Sequence, residues 1–114
     1  MLFRILFVVL CVGFIVGGVG SLLGVPFFQE IMDRVGVGRT LAVAISVLEI
    51  AAAVALVIGL FVPVVGVTAA AGLFLLMIGA VLFHARAKDF KGMTPPVMNG
   101  LLALLAVVFA LPHI

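Results

Sequence analysis

The stretch that decides the fold is residues 40–83, TLAVAISVLEIAAAVALVIGLFVPVVGVTAAAGLFLLMIGAVLF, in which Glu49 is the only charged residue. As one helix it would extend about 66 Å, more than twice the roughly 30 Å hydrocarbon core of a bilayer. Residues 59–63, GLFVP, interrupt it, because proline lacks a backbone donor and disfavours helix at the preceding residue. The stretch therefore predicts two membrane spans, about residues 40–60 and 64–84, joined by a tight turn.

The rest of the chain has the same apolar character. Of 114 residues, 68% are hydrophobic and 9% are charged, a composition that a water-soluble domain of this size cannot bury. Two more spans are predicted at about residues 4–24 and 96–112. The small net charge of +2 excludes a nucleic-acid surface. We therefore predict an all-α fold, an integral membrane four-helix up-down bundle that forms a single domain over residues 1–114.

The first connector contains an amphipathic segment, residues 26–36. Pro26 is suited to open a helix, and Gly36 to follow its end. Apolar side chains lie on one face and charged ones on the other, which is typical of a helix lying in the membrane interface. We expect this interfacial helix to cap the bundle, and the alternative is a lid that faces a substrate.

The first span carries a stripe of glycines at spacings of four, three and four. In lipid, small residues allow helix backbones to approach closely. The stripe therefore predicts a helix-packing seam formed by Gly13, Gly17, Gly20 and Gly24.

The distribution of basic residues predicts the orientation in the membrane. Connectors 25–39 and 85–95 contain five of the six Lys and Arg residues, and Arg4 is the sixth. Basic residues favour the cytoplasmic side. We therefore expect both connectors to be cytoplasmic and both termini to lie outside the cytoplasm.

Glu49 is the centre of the candidate site. A charge in the middle of a span costs roughly 2.5–3.5 kcal/mol, and such residues usually face the bundle interior. We predict that Glu49, His84 and Asn99 form a ligand-binding or coupling site, since all three lie toward the connectors and helical side chains lean toward the N-terminus. Ser46, one turn from Glu49, would bridge part of the gap. Alternatively, Glu49 only hydrogen-bonds across helices and Asn99 caps the fourth helix.

Other site chemistry has little support in the sequence. Cys11 is the only cysteine, so no internal disulfide is expected. We find no nucleophile and base pair, no phosphate loop and no cluster of metal ligands, and so predict no catalytic residues and no metal.

Three segments resemble the DoxX-like family of small membrane proteins, and the resemblance spans about residues 40–112. They are Ser46-Val47-Leu48-Glu49-Ile50, Gly59-Leu60 and Gly79-Ala80-Val81-Leu82-Phe83-His84. The resemblance implies a multi-pass protein of the bacterial inner membrane. Some relatives are associated with quinone-linked thiosulfate oxidation or with oxidative-stress assemblies, so a quinone is the ligand that the resemblance implies.

Two functions are compatible with these features. The first is an accessory or scaffold subunit, without catalytic activity of its own, that docks a protein partner or holds a lipophilic ligand; a homo-oligomer is compatible with it. The second is a small proton-coupled transporter that uses Glu49. The small multidrug resistance family has a similar size and an intramembrane Glu, but its Glu lies in the first span, and this chain has no Trp or Tyr to bind aromatic cations.

Overall fold

The computed structural model describes residues 2–114, which are helical apart from short turns and contain no strand. Four segments are long and apolar enough to cross a membrane, and a fifth helix is short. The helices are α1 (Leu2–Leu22), α2 (Pro26–Arg34), α3 (Arg39–Gly59), α4 (Pro63–Arg86) and α5 (Thr94–Ala110), with 3₁₀ turns at Lys91–Met93 and Leu111–His113.

The long helices pack as a ring. Helix α1 packs against α3 and α5, and α4 packs against the same two helices. The predicted all-α class with four long apolar helices packed together is confirmed, whereas the up-down order of the four stays a prediction. Contacts between remote parts of the chain define two ends of the bundle. The Phe3 and His113 rings lie 4.7 Å apart at one end, and Arg34 is bonded to Asp89 at the other, which we call the connector end.

Proline sets the start of three helices. Pro26 and Pro63 are the first residues of α2 and α4, and α5 has proline in its first turn. The first turn of a helix has amide groups without intrahelical partners, so the missing donor of proline costs nothing there. This is why α4 begins at the proline predicted to break the long apolar stretch, after a turn of residues 60–62.

The core of the bundle combines a stripe of large side chains on α1 with alanines and a few larger side chains, Leu56, Leu73 and Met77, on α3 and α4. Phe7 is fully buried, and its ring lies in a gap that exists because Gly59 and Gly66 have no side chains. Apolar surface gains little by leaving lipid, so such close packing supplies the attraction between the helices. The buried stripe of α1 consists of Phe3, Phe7, Leu10 and Phe14, and alanines of α3, α4 and α5 face it in the same cluster, namely Ala53, Ala70, Ala103, Ala106 and Ala110.

The close approach of α1 to α3 occurs at Gly18. This position continues the buried stripe of α1 by one helical turn beyond Phe14. A Cβ on Gly18 would lie 2.9 Å from the Ile50 side chain and 3.2 Å from the Ser46 carbonyl oxygen. The backbones of the two helices therefore come together at a position outside the predicted glycine seam.

The four glycines of the predicted seam have different surroundings. A Cβ on Gly13 would meet nothing within 4 Å, and one on Gly17 would meet the Glu49 carboxylate at 3.6 Å. Gly20 lies under the Phe28 ring of α2. Gly24 lies beyond the end of α1, with φ of 72°. The four glycines differ in their surroundings because a separate stripe, which includes Phe3, Phe7 and Phe14, occupies the face of α1 that points to the core.

Three helices end in the same way at the connector end. Gly24, Gly36 and Lys88 have φ of 72°, 78° and 57°, and each follows a helix with the paired hydrogen bonds of a Schellman motif. Glycine adopts this left-handed conformation at no steric cost, whereas Lys88 adopts it with a side chain. The guanidinium of Arg39 adds a cap for α1, since it donates to the carbonyl oxygens of Ser21 at 2.9 Å and Leu22 at 2.6 Å.

Helix α2 is a separate amphipathic helix that rests on the bundle. None of its residues is fully buried. Phe28 packs on Gly20, and Ile31 and Met32 are half-buried, while Glu30 is exposed. The predicted position of α2 in the membrane interface stays a prediction.

Matched substitutions on α1 test where it meets α3. Gly18→Ala should destabilise the fold by about 1–3 kcal/mol, because the added Cβ contacts a backbone oxygen that cannot move away. Gly13→Ala is the control and should leave stability unchanged or raise it by up to about 1 kcal/mol, since the site is open and alanine favours helix. Thermal unfolding in detergent measures both. Equal stability of the two variants would show that the contact has been misplaced.

Candidate functional site

Glu49 lies on the inward side of α3, half-buried against α1. Its Oε2 atom is 3.6 Å from where a Cβ of Gly17 would be, so the carboxylate lies close to the α1 backbone. Within residues 2–114, no hydrogen bond or ion pair reaches this carboxylate. Glu49 is therefore a polar group inside a span, and its carboxylate forms no hydrogen bond with the described chain.

His84 lies near the end of α4 and is held by a residue of the following connector. The side chain is buried, and its Nδ1 atom lies 2.9 Å from Oδ2 of Asp89. The same Oδ2 accepts a hydrogen bond from Nε of Arg34 on α2, at 3.0 Å. One carboxylate oxygen thus connects the end of α4 to α2.

The connector backbone shapes this arrangement. The amide of Asp89 donates to the His84 carbonyl oxygen at 2.8 Å, as part of the Schellman motif that ends α4. The backbone at Gly92 then passes close to the His84 and Asp89 side chains. A Cβ on Gly92 would collide with the Asp89 carboxylate and lie 3.0 Å from His84 Nδ1, so the connector closes over these two groups only with glycine here.

The environment of Asp89 favours its charged form. Desolvation by its surroundings raises the pKa of this carboxyl, but hydrogen bonds from His84, Arg34 and the Gly92 backbone, together with the Arg34 charge, lower it more. The net result is a pKa below the ordinary value of 3.8. Asp89 is therefore an ionised acceptor at neutral pH.

Glu49, His84 and Asn99 line one cavity, of about 290 Å³, which we call the Asn99 cavity. Asn99 contributes from the half-buried side of α5. A second cavity of about 340 Å³, the Phe83 cavity, is also lined by Glu49 and His84. Met32, Met77 and Ala80 are common to both cavities. The structure thus brings together three of the four residues that we predicted for the site.

Ser46 is the fourth predicted residue, and it does not line either cavity. Its side chain is buried, and its hydroxyl donates to the carbonyl oxygen of Ala42 at 2.7 Å. This bond, one turn back along its own helix, is the common way for a serine within a helix to satisfy its hydroxyl.

Helix α2 covers both cavities at the connector end. Phe28 lines the Asn99 cavity, Ile31 lines the Phe83 cavity, and Met32 lines both. Glycines of the predicted seam also contribute, because Gly13 and Gly17 line the Asn99 cavity on the α1 side. Absent side chains on α1 therefore leave room beside Glu49.

A larger groove, of about 740 Å³, lies between α3 and α4 and shares Leu48 and Leu76 with the Phe83 cavity. It is not lined by Glu49, His84 or Asn99. Thr68 is its one polar lining residue, and the Thr68 hydroxyl already donates to the Val64 carbonyl oxygen. In a chain that spans a membrane, such a groove meets lipid. We place the candidate site at the two smaller cavities because polar groups converge there.

Sequence reasoning missed Asp89, Arg34 and Gly92. A signal for Asp89 was available, since it is the only acidic residue in the second of the two polar connectors and follows His84 by five residues. No sequence signal identified Arg34 as its partner, because the two residues are 55 positions apart. Within residues 2–114 no group of three or more His, Cys, Asp or Glu side chains is placed to hold a metal ion.

Comparison with known proteins identifies one family. Residues 5–109 match the model of the DoxX-like family, and the match includes α1 as well as the segments that carry the sequence resemblance. No curated protein and no solved structure matches the chain.

The pH dependence of stability tests the role of Asp89. A carboxyl whose pKa is lowered by folding stabilises the folded chain above its unfolded pKa, and the contribution is lost as the pH falls through the folded value. Asp89→Asn should therefore lower the melting temperature at neutral pH. Its difference from the parent protein should shrink below about pH 4. Thermal unfolding in detergent between about pH 7 and about pH 2 measures this.

Asp33→Asn provides the control, because Asp33 is an exposed residue of α2. Its difference from the parent protein should be small at every pH. A difference for Asp89→Asn that stays constant down to about pH 2 would contradict the role assigned to this carboxylate.

Proposed function

Because the chain belongs to the DoxX-like family of membrane proteins, we propose that it is an accessory subunit that holds a lipophilic ligand in the Asn99 and Phe83 cavities. The observation that carries this proposal is the convergence of Glu49, His84 and Asn99 on apolar cavities beneath α2. The chemistry of the lining, rather than any single residue, supports the choice of ligand class.

The lining favours an apolar molecule with a small polar group. The walls are mostly Leu, Ile, Val, Met and Phe, and the polar side chains are few, namely Ser21, Glu49, His84 and Asn99. Binding sites for small molecules generally combine apolar walls with a few orienting polar groups, and their volumes begin at about 300 Å³. The two cavities share five lining residues, so one ligand that occupies both is within this range.

A quinone has the required chemistry, since it joins a flat ring bearing polar oxygens to an apolar tail. The tail would extend from the site into lipid, and the polar oxygens of the ring would lie beside the polar side chains of the cavities. In this proposal the accessory subunit serves a quinone-linked redox system of the bacterial inner membrane.

The connector end is the surface that we propose for a protein partner. It contains charged side chains, including Arg34, whose side chain is 54% exposed although it pairs with Asp89. Basic residues favour the cytoplasmic side of a membrane, which supports a cytoplasmic position for both connectors. Labelling of a cysteine at position 88 from outside intact cells would contradict this orientation.

A proton-coupled transporter is the second candidate, and one observation favours it. Glu49 lines both cavities and has no bonded partner within residues 2–114, as a carboxylate that alternately binds a proton and a substrate would require. The Glu49→Gln variant separates the two functions, because it keeps the shape but removes the titratable charge. Uptake into proteoliposomes that a pH gradient drives in the parent protein and that Glu49→Gln abolishes would favour the transporter. Absence of such uptake in the parent protein would favour the accessory subunit.

Filling the cavities tests the proposed function. Ala80 lines both cavities, so Ala80→Leu should weaken binding of decylubiquinone by about tenfold or more, about 1.4 kcal/mol. Ala71→Leu is the control, because Ala71 is an exposed residue of the same helix and lines neither cavity. Binding is measured by titration of the protein in lipid nanodiscs. Absence of saturable binding to the parent protein, or equal binding to both variants, would overturn the proposal.

A further inference from the structure

The bond between His84 and Asp89 fixes which nitrogen of the imidazole carries hydrogen. Asp89 Oδ2 lies within hydrogen-bond distance of both Arg34 Nε and His84 Nδ1. The pKa of Asp89 is held below its ordinary value, so the carboxylate is ionised and can only accept. Nδ1 must therefore be the protonated nitrogen that donates to it.

The other ring nitrogen, Nε2, is left without a partner. No hydrogen bond to it is formed by residues 2–114. Fully buried side-chain nitrogens and oxygens of the described chain all have partners, so Nε2 reaches open space. His84 is only 6% exposed, and both the Asn99 and Phe83 cavities adjoin it. In the neutral imidazole, Nε2 carries a lone pair, and the ring presents a hydrogen-bond acceptor to the site.

The remaining polar groups do not compete for this acceptor. The Asn99 amide and the Ser21 hydroxyl are the side-chain donors that line the Asn99 cavity. Within residues 2–114 neither of them is hydrogen-bonded to His84. The Ser46 hydroxyl lines neither cavity and donates to the Ala42 carbonyl oxygen. Glu49 and His84 are not bonded to each other. An acceptor in an apolar cavity costs free energy unless a donor reaches it, so the donor must come from the ligand or from water.

We propose that the ligand carries a hydroxyl group on an apolar framework, as a phenol or hydroquinone does, and that it donates this hydrogen to Nε2 of His84. This inference rests on the proposed function and narrows its ligand class to the hydroxyl form. The corresponding carbonyl or ether leaves Nε2 without a donor. Asp89 is a positioning residue in this scheme, since it acts on the ligand only through the imidazole.

The test compares two probes that differ in one donor, para-nonylphenol and its methyl ether. Both are titrated against the full chain in nanodiscs at about pH 8, where imidazoles are ordinarily neutral. The parent protein should bind the phenol about five to ten times more tightly than the ether, the effect of one hydrogen bond. This comparison needs no variant, so it does not depend on whether a substituted chain folds.

Two variants assign the preference to the imidazole. Asp89→Asn should reduce the preference for the phenol below about twofold. The new amide can donate to Nδ1, so the ring hydrogen is no longer confined to Nδ1 and Nε2 is no longer always an acceptor. Arg34→Gln is the matched control, since it removes the ion pair to Asp89 but keeps the bond from His84. Arg34→Gln should retain the full preference.

Each contrary result has a distinct meaning. Equal binding of phenol and ether to the parent protein would overturn this inference and leave the proposed function standing. A preference that survives Asp89→Asn would likewise overturn the role given to His84. Failure of both probes and of decylubiquinone to bind would overturn the proposed function and this inference with it.

Discussion

The structure depends on how closely four helices can approach in a solvent that gives them little reason to associate. Lipid is as apolar as the helix surfaces, so the bundle is stabilised by dispersion contacts between matched shapes. Phe7 of α1 lies in the space left by Gly59 and Gly66, and Gly18 brings the α1 backbone against α3. These contacts fix the spacing of the bundle. The room beside Glu49 exists because the same helix has Gly17 there, facing the carboxylate.

The sequence determines some features of the fold more directly than others. The long apolar stretches and Pro63 predicted the four long helices, because length and hydropathy are local properties. The contact between α1 and α3 was harder to predict, since glycine spacing alone does not show which face of a helix points to the core. Here the stripe that begins at Phe3 and Phe7 sets that face.

In the candidate site, too, some residues could be predicted from local sequence and others only from the folded chain. Glu49, His84 and Asn99 were recognisable because polar residues within spans are rare and costly. Asp89 and Arg34 lie in connectors where charged residues are ordinary, and only the folded chain shows that they meet at one oxygen atom. This oxygen is within hydrogen-bond distance of both Arg34 on α2 and the His84 imidazole that lines the cavities, and so connects them. The candidate site and helix α2 therefore form one unit, in which each part is positioned by the others.

We propose that the cavities under α2 hold a lipophilic small molecule. Native mass spectrometry of the chain, released from nanodiscs made with its own membrane, tests this most directly. We expect a population that carries one small lipophilic molecule per chain, and added decylubiquinone should displace this molecule. A bare chain, or a chain that carries only phospholipids which decylubiquinone does not displace, would contradict it.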